Sequence, residues 1–239
     1  MRPRPTAALR RVAAPAAVTA AVATAVLATA PPAGAAPDSG PSRTAAATAV
    51  RGGTVLYSAS GRCAVGFNAT KAGTYYALME GRCVGGARDW YADAARTVHV
   101  GVTEAVHFPG ENVALIRYTD PAVSHPGEVD LGGGRHLDIT GAARPTVGQS
   151  VCLAGPTAGT HCGRVRAVNV SVTYPEGTVT GIAQTSACSE PGTAAGRPAV
   201  SGSTAIGLAM GGSGDCASGG TTYLQPVVPA LQAFGLTLY

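Results

Sequence analysis

From Val50 onward the chain alternates short apolar runs with glycine-marked breaks. "GGTVLYSASGRCAVGFNAT" and "GTYYALMEGRC" set the texture, and "RTVHVGVT", "NVALIRYT", "GRVRAVNVSVTY", "TVTGIAQT" and "STAIGLAM" continue it. Runs this short, rich in β-branched and aromatic residues and separated by Gly, Pro, Asn or Asp, predict strands joined by tight turns. One stretch departs from the pattern. "VVPALQAFGL" places Val228, Leu231, Phe234 and Leu236 at helical spacing and predicts a single closing helix. No repeat of fixed period is present. The expectation is an all-β protein, most economically two packed antiparallel barrels.

The start of the chain has a different texture. Arg2, Arg4, Arg10 and Arg11 precede an alanine- and valine-rich run from Val12 to Ala30, and Ala33-Gly34-Ala35 follows. That order suits a signal peptide over residues 1–36, cut after Ala35 or Ala36. Pro15 and the weak hydrophobicity of the run argue against a membrane anchor. Residues 37–49, "PDSGPSRTAAATA", lack apolar periodicity and read as a linker or a vestigial pro-segment. The expected location is extracellular, with no membrane association after cleavage. Residues 50–239 then form the folded domain, as two lobes of roughly 50–140 and 141–239, long enough to bury a core.

Charge follows the same division. The formal net charge of +4 equals the four leader arginines. From Pro37 onward, Lys71 and twelve arginines balance thirteen acidic residues. No basic face remains to argue for nucleic acid or anionic lipid. Six cysteines (Cys63, Cys83, Cys152, Cys162, Cys188 and Cys216) all follow the leader, and an even count in an exported chain predicts three disulfides. Spacing alone leaves their pairing open. There is no CxxC pair, and His99, His107, His125, His136 and His161 fall into no ligand spacing, so neither a metal nor another cofactor is expected.

Several motifs, taken together and in order, resemble one family. "GRCAVGFN", "TYYAL" followed by "GRC", "RYT", "VGQSVCLAGPTAGTHCG", "CSEPG", "AIGLAMGGSGDC" and "GGTTYLQPV" look like the streptogrisins, secreted bacterial serine proteases related to α-lytic protease. The resemblance runs from about Val50 to Tyr239. It implies the chymotrypsin fold: two six-stranded β-barrels with the active site between them and a C-terminal helix. It also implies the pairs Cys63–Cys83, Cys152–Cys162 and Cys188–Cys216, and a monomer.

Such a protease needs a histidine base, an aspartate that orients it and a serine nucleophile. The histidine stands before the second cysteine in a segment like "TAGHC", and the matching "MEGRC" has Arg82 there. A guanidinium stays protonated and accepts no proton. The aspartate's position before "RYT" holds Asn112, a neutral amide. The serine of "GDSGGP" falls on Ala194 in Gly192-Thr193-Ala194-Ala195-Gly196-Arg197-Pro198. Thr193 stands for the aspartate before the serine, Ala195 for a glycine, and Arg197 reads as one added residue. The resemblance assigns the oxyanion-hole donors to the backbone N–H groups at Gly192 and Ala194, and it maps the serine that supports the triad from the substrate strand onto Met210. Neighbouring Thr193, Ser186, Ser189, Ser201 and His107 read as loop, strand or surface residues rather than as a relocated triad.

The family's peptide groove maps to "AMGGSGD", with Met210, Gly211, Gly212 and Ser213 as candidates. Extended peptides bind such a strand by adding to its edge. Glu80 and Arg82 would both put charge into the cleft, where they could pair. The expected function is that of a secreted pseudoprotease, not an enzyme, which binds extended peptides or protein protease inhibitors without cutting them. Two alternatives stand beside it: a serine endopeptidase with an unorthodox site, and a structural relic without a ligand. A glycine-lined opening beside Ala194 would favour binding, and one filled by Met210 or Arg197 would favour the relic.

Overall fold

The computed structural model describes residues 48–239. The expected signal peptide, and all of the linker before Thr48, lie outside the described residues.

The strands fall into two rings. A two-residue strand β1 (Thr48–Ala49) precedes the first ring, which is built from β2 (Val55–Tyr57), β3 (Arg62–Lys71), β4 (Thr74–Met79), β5 (Asp89–Tyr91), β6 (His99–His107) and β7 (Val113–Tyr118). Between β4 and β5 lies a one-turn helix α1 (Gly81–Val84). The ladder runs β3-β2-β5-β6-β7-β4, and the β3–β4 pairing closes it on itself. Next come β8 (Val123–Ser124), parallel to β1, and the hairpin β9 (Glu128–Gly132) and β10 (Arg135–Asp138).

After β11 (Gly141–Ala142), the second ring uses β12 (Ser150–Leu153), β13 (His161–Tyr174), β14 (Gly177–Thr185), β15 (Pro198–Ser201), β16 (Thr204–Asp215) and β17 (Gly219–Pro226). It runs β16-β15-β12-β13-β14-β17 and is closed by the β16–β17 pairing. Closure leaves neither ring an open sheet edge along its whole length, which is how antiparallel β proteins avoid unpaired edges. The chain ends with helix α2 (Val227–Phe234) and β18 (Thr237–Leu238), which adds to the first ring at β3. The two six-stranded barrels expected from the sequence are present.

Each ring has its own apolar interior. Leu56, Val65, Met79, Trp90 and Ile116 pack inside the first, and Val151, Leu153, Val165, Ile206 and Leu224 inside the second. A third cluster joins the rings. Phe67, Leu78, Val113 and Leu115 of the first meet Val200, Ala205 and Leu208 of the second, with Val227 and Ala230 of α2. Burying aliphatic side chains of this size contributes about 1.5–3 kcal/mol each.

The closing helix is present, with a shifted face. Its most buried residues are Val227 and Ala230, while Val228, Leu231 and Phe234 are partly buried. Leu236 lies beyond the helix. Gly235 takes the left-handed conformation (φ 65°) that ends it, and the Leu236 N–H returns to the Leu231 carbonyl.

All three disulfides form as the resemblance implied: Cys63–Cys83, Cys152–Cys162 and Cys188–Cys216. They fit an oxidising compartment. Among the described residues, no helix is long and apolar enough to cross a membrane.

Candidate active site

The site forms where the β4–α1 junction of the first barrel meets the 188–198 loop of the second. Glu80 caps α1: its backbone is extended (φ −74°, ψ 122°) and its carboxylate accepts the Cys83 N–H at 2.8 Å. Gly81 follows because α1 lies directly on β7. A Cβ there would stand 2.8 Å from the Val113 carbonyl oxygen. This close approach brings Arg82 beside Asn112, whose Oδ1 accepts the Arg82 backbone N–H at 2.7 Å.

Asn112 is fully buried, and its backbone N–H and both polar atoms of its side chain are hydrogen-bonded. Its Nδ2 donates to Glu80 Oε1, and its backbone N–H donates to Gln225 Oε1 at 3.0 Å. Gln225 is itself buried on β17, so Asn112 ties the two barrels together. The amide does here what a carboxylate could not do equally well, because it offers both an acceptor and a donor.

The Arg82 side chain leaves this network and crosses toward the β13–β14 turn. Its guanidinium lies 4.8 Å from the Tyr174 ring centroid, and its Nε is 3.7 Å from Glu176 Oε2. Glu80 is only 3% exposed and faces Asn112 and Cys83 rather than the cleft. Glu80 and Arg82, which could have paired, make no ion pair, and the carboxylate beside the Arg82 guanidinium is that of Glu176.

Burial pushes the Glu80 carboxyl up to about 7, against the opposing pull of its bonds from Asn112 and Cys83. Desolvation disfavours the ion, and the two donors recover only part of that cost. The folded-state value lies above the unfolded one, near 4.5. The folded protein thus holds a proton that the unfolded chain has lost, and stability falls as pH rises through that window. The fall expected from Glu80 between about pH 4.5 and 7 is about 3 kcal/mol. Urea unfolding of the wild type and of Glu80→Ala at several pH values checks it. The difference between the two cancels the other carboxyls, and a pH-independent difference would contradict the assignment.

The 188–198 loop is anchored at both ends. Cys188–Cys216 ties it to the end of β16. At the other end, the Ala195 carbonyl accepts the Ala64 N–H at 2.7 Å, and the Gly196 N–H donates to the Ala209 carbonyl at 2.8 Å. Gly196 has φ 95°, and a Cβ there would fall 2.6 Å from the Ala64 carbonyl oxygen and 3.4 Å from the Glu80 nitrogen. Only glycine fits. Thr193 closes the turn on itself, with its hydroxyl bonded to the Glu190 carbonyl and to Ser189 Oγ, both at 2.9 Å. Gly192 has φ 81°, and its carbonyl accepts from Arg62 Nη2 at 3.2 Å.

Arg197 turns away from this loop. It is 3% exposed and donates to the carbonyls of Leu153, Ala154 and Gly159, which leaves Nη1 without a partner. Burial lowers its proton affinity.

Beside Ala194 opens a cavity of about 310 Å³, walled by Glu190–Ala195 on one side and by Gly211–Gly214 on the other, with Thr222 at its back. Neither Met210 nor Arg197 lines it. Met210 instead packs against Val179 and Ile182. Of the groove candidates, Gly211, Gly212 and Ser213 line the cavity and Met210 does not. Along this segment β16 is paired on one side only. Gly211, Gly212 and Ser213 face Tyr223, Thr222 and Thr221 of β17, whereas the β15 ladder stops at the Pro198–Leu208 pair. Among the described residues, the opposite edge of residues 211–213 carries no strand. A second hollow of about 670 Å³ lies across the loop, between Gly192–Ala194 and Tyr57, Arg62 and Pro156–Ala158.

Among the described residues, no histidine is hydrogen-bonded to a serine or threonine hydroxyl. His107 faces Glu111 at 3.5 Å and packs on Phe234, and His99 lies 3.4 Å from Asp89. His125 is held by Tyr239 and stacked on Tyr118, His161 bonds the Ala158 carbonyl, and His136 is exposed in β10. His161 does lie near Cys188 and Cys216, but both sulfurs are committed to their disulfide. The Ser186 hydroxyl bonds the Arg164 backbone, and Ser201 ends β15.

Sequence and structure comparisons identify the kinship. Over 176 residues the chain is 43% identical to serine protease 2 of Streptomyces fradiae, covering 72% of this chain and all of that protein. It is 42% identical over 192 residues to streptogrisin-C of Streptomyces griseus, covering 79% of this chain and 41% of that protein. The solved structure of alpha-lytic protease homolog N4 superposes with a TM-score of 0.77 at 81% identity, covering 80% of this chain and all of that one. No protein-family model matches the chain.

The chain belongs to the streptogrisin and α-lytic protease family.

This streptogrisin homologue spans less than half the length of streptogrisins C and D. The kinship corrects one expectation of the sequence reading, that the chain is not an enzyme. Relatives 37–43% identical to it over 176–192 aligned residues carry protease names, which places it within a family of chymotrypsin-fold bacterial serine proteases. Two features were missed in the sequence. The Glu80–Asn112 contact spans 32 residues and has no local signal. The α1 cap did have one, an acidic residue three before Cys83.

Proposed function

We propose that this streptogrisin homologue recognises extended peptides as a secreted member of the serine endopeptidase family, with an unorthodox site. A peptide adds as a strand to the free edge of β16 at Gly211–Ser213 and seats one side chain in the cavity. This places its backbone over Ala194, near the N–H groups of Gly192 and Ala194. A protein protease inhibitor that presents an extended loop would occupy the same groove. The observation that carries this reading is the open, glycine-walled cavity beside an unpaired strand edge. A relic would have let Met210 or Arg197 fill it, and both point elsewhere.

The family's kinship supports hydrolysis here, and the residues define what such hydrolysis must do without. Arg82, Asn112 and Ala194 occupy the triad-equivalent positions and offer no base, no orienting carboxylate and no nucleophilic oxygen. Cleavage would therefore proceed without a serine acyl-enzyme. A fluorophosphonate probe, which needs an activated serine, should leave the protein unlabelled.

Calorimetric titration with blocked peptides of mixed sequence, followed by mass spectrometry of the same samples, tests the proposal. Saturable binding that is lost in Ser213→Trp, which fills the cavity, is the expected result. Cut peptides would add hydrolysis to recognition. Absence of saturable binding, or binding indifferent to Ser213→Trp, would overturn it.

A further inference from the structure

We propose that Arg82 makes the groove selective for acidic peptides, by binding an Asp or Glu carboxylate close to the residue seated in the cavity. This deepens the peptide-recognition reading and rests on it.

The guanidinium is fixed in place but weakly committed. It lies on Tyr174, whose ring is braced edge-on by Phe108 at 5.6 Å. The Tyr174 hydroxyl reaches the Met210 carbonyl at 3.5 Å, at the residue immediately before Gly211. The cation therefore stands at the head of the unpaired edge. Among the described residues its one ion pair is with Glu176, at 3.7 Å, and both side chains are nearly half exposed (46% and 49%). That separation exceeds a hydrogen bond, and an exposed pair of this kind contributes little. No side-chain hydrogen bond engages the five guanidinium N–H donors among the described residues. The other carboxyl nearby, Glu80, acts on Arg82 only through space, because its two oxygens accept from Asn112 and Cys83.

A peptide carboxylate brought alongside would meet a planar fork already held on an aromatic face. Bidentate, charge-assisted bonds of that type are roughly twice as strong as neutral ones. The ligand carboxylate should displace Glu176, whose pairing lacks that geometry. Lysine at the same peptide position would be repelled.

The test is fluorescence polarisation on the full chain with blocked, fluorescein-labelled hexapeptides. A single Glu is walked through an alanine–leucine background and compared with Gln at each position. At one position Glu should bind about tenfold tighter than Gln, and the ratio should shrink at high salt. In Arg82→Gln the Glu-to-Gln ratio should fall to about one. In Glu176→Gln, which removes the competitor, the ratio should rise. Equal binding of Glu and Gln at every position, or a preference that survives in Arg82→Gln, would overturn the role of Arg82 while leaving peptide recognition intact. Failure of every peptide to bind would instead refute the groove itself and this inference with it.

Discussion

Replacing Asn112 with aspartate is expected to cost about 3–5 kcal/mol of stability at pH 8, and much less at pH 5. Asn112 is fully buried, and its Nδ2 donates to a Glu80 carboxyl that is itself 3% exposed. The substitution removes the donor and sets a second carboxylate against the first. Two buried carboxyls at hydrogen-bonding range share one proton, and the pair then titrates as a unit. Glu80 is already pushed up to about 7 by burial, so the added charge drives the shared proton's affinity higher still. The folded state needs that proton and the unfolded chain does not, so the penalty is largest above the folded-state value and relaxes as pH falls. Glu80→Ala in the same chain should restore most of the loss at pH 8. Urea titrations of the single and double variants at both pH values decide the matter. Equal destabilisation at pH 5 and pH 8 would rule out carboxylate pairing as the cause.

The second large effect follows from the first. Arg82→His, Asn112→Asp and Ala194→Ser, combined with Glu80→Ala, should raise hydrolysis of a denatured protein by about a thousandfold or more over the native chain. Without Glu80→Ala the three substitutions should gain far less, because the new aspartate would share its proton with Glu80 and could not stay ionised beside the histidine. Glu80 and Asn112 read as a matched pair, joined by their buried hydrogen bond. The buried amide is the partner that a buried carboxyl of raised proton affinity tolerates. Fluorophosphonate labelling would report the introduced serine. A fourfold variant that folds and remains unlabelled would place the fault in the 193–198 loop, where Thr193 bonds its own turn and Arg197 is drawn into the second barrel.

Much of this architecture was legible in the residues. The long strands β3, β13 and β16 coincide with the glycine-marked apolar runs that predicted strands. The short β5 and the β9–β10 hairpin were not anticipated. Three to five residues give too little periodicity to separate a strand from a loop, and their pairing depends on distant partners. Helix α2 was visible, but Leu236 was assigned to it although Gly235 ends it. At the site, Arg82, Asn112 and Ala194 were singled out by the resemblance alone. What they touch was not legible: the Arg82–Glu176 contact spans 94 residues and was hidden behind the nearer Glu80. Met210 was placed at the groove because the resemblance maps the substrate strand onto "AMGGSGD". The bulge between Ala209 and Gly211 accompanies its turn into the Val179–Ile182 cluster. Function by analogy was legible and incomplete, since Arg82, Asn112 and Ala194 suggested a non-enzyme where kinship places the chain among proteases.

Amide hydrogen exchange at Gly211–Ser213, followed with and without a saturating extended peptide, tests peptide recognition most directly. Strand addition should slow exchange of the outward amides in this segment by at least tenfold, while the Thr221–Tyr223 amides on the paired side change little. Unchanged exchange at residues 211–213 in the presence of a bound peptide would mean that the free edge of β16 is not where peptides bind.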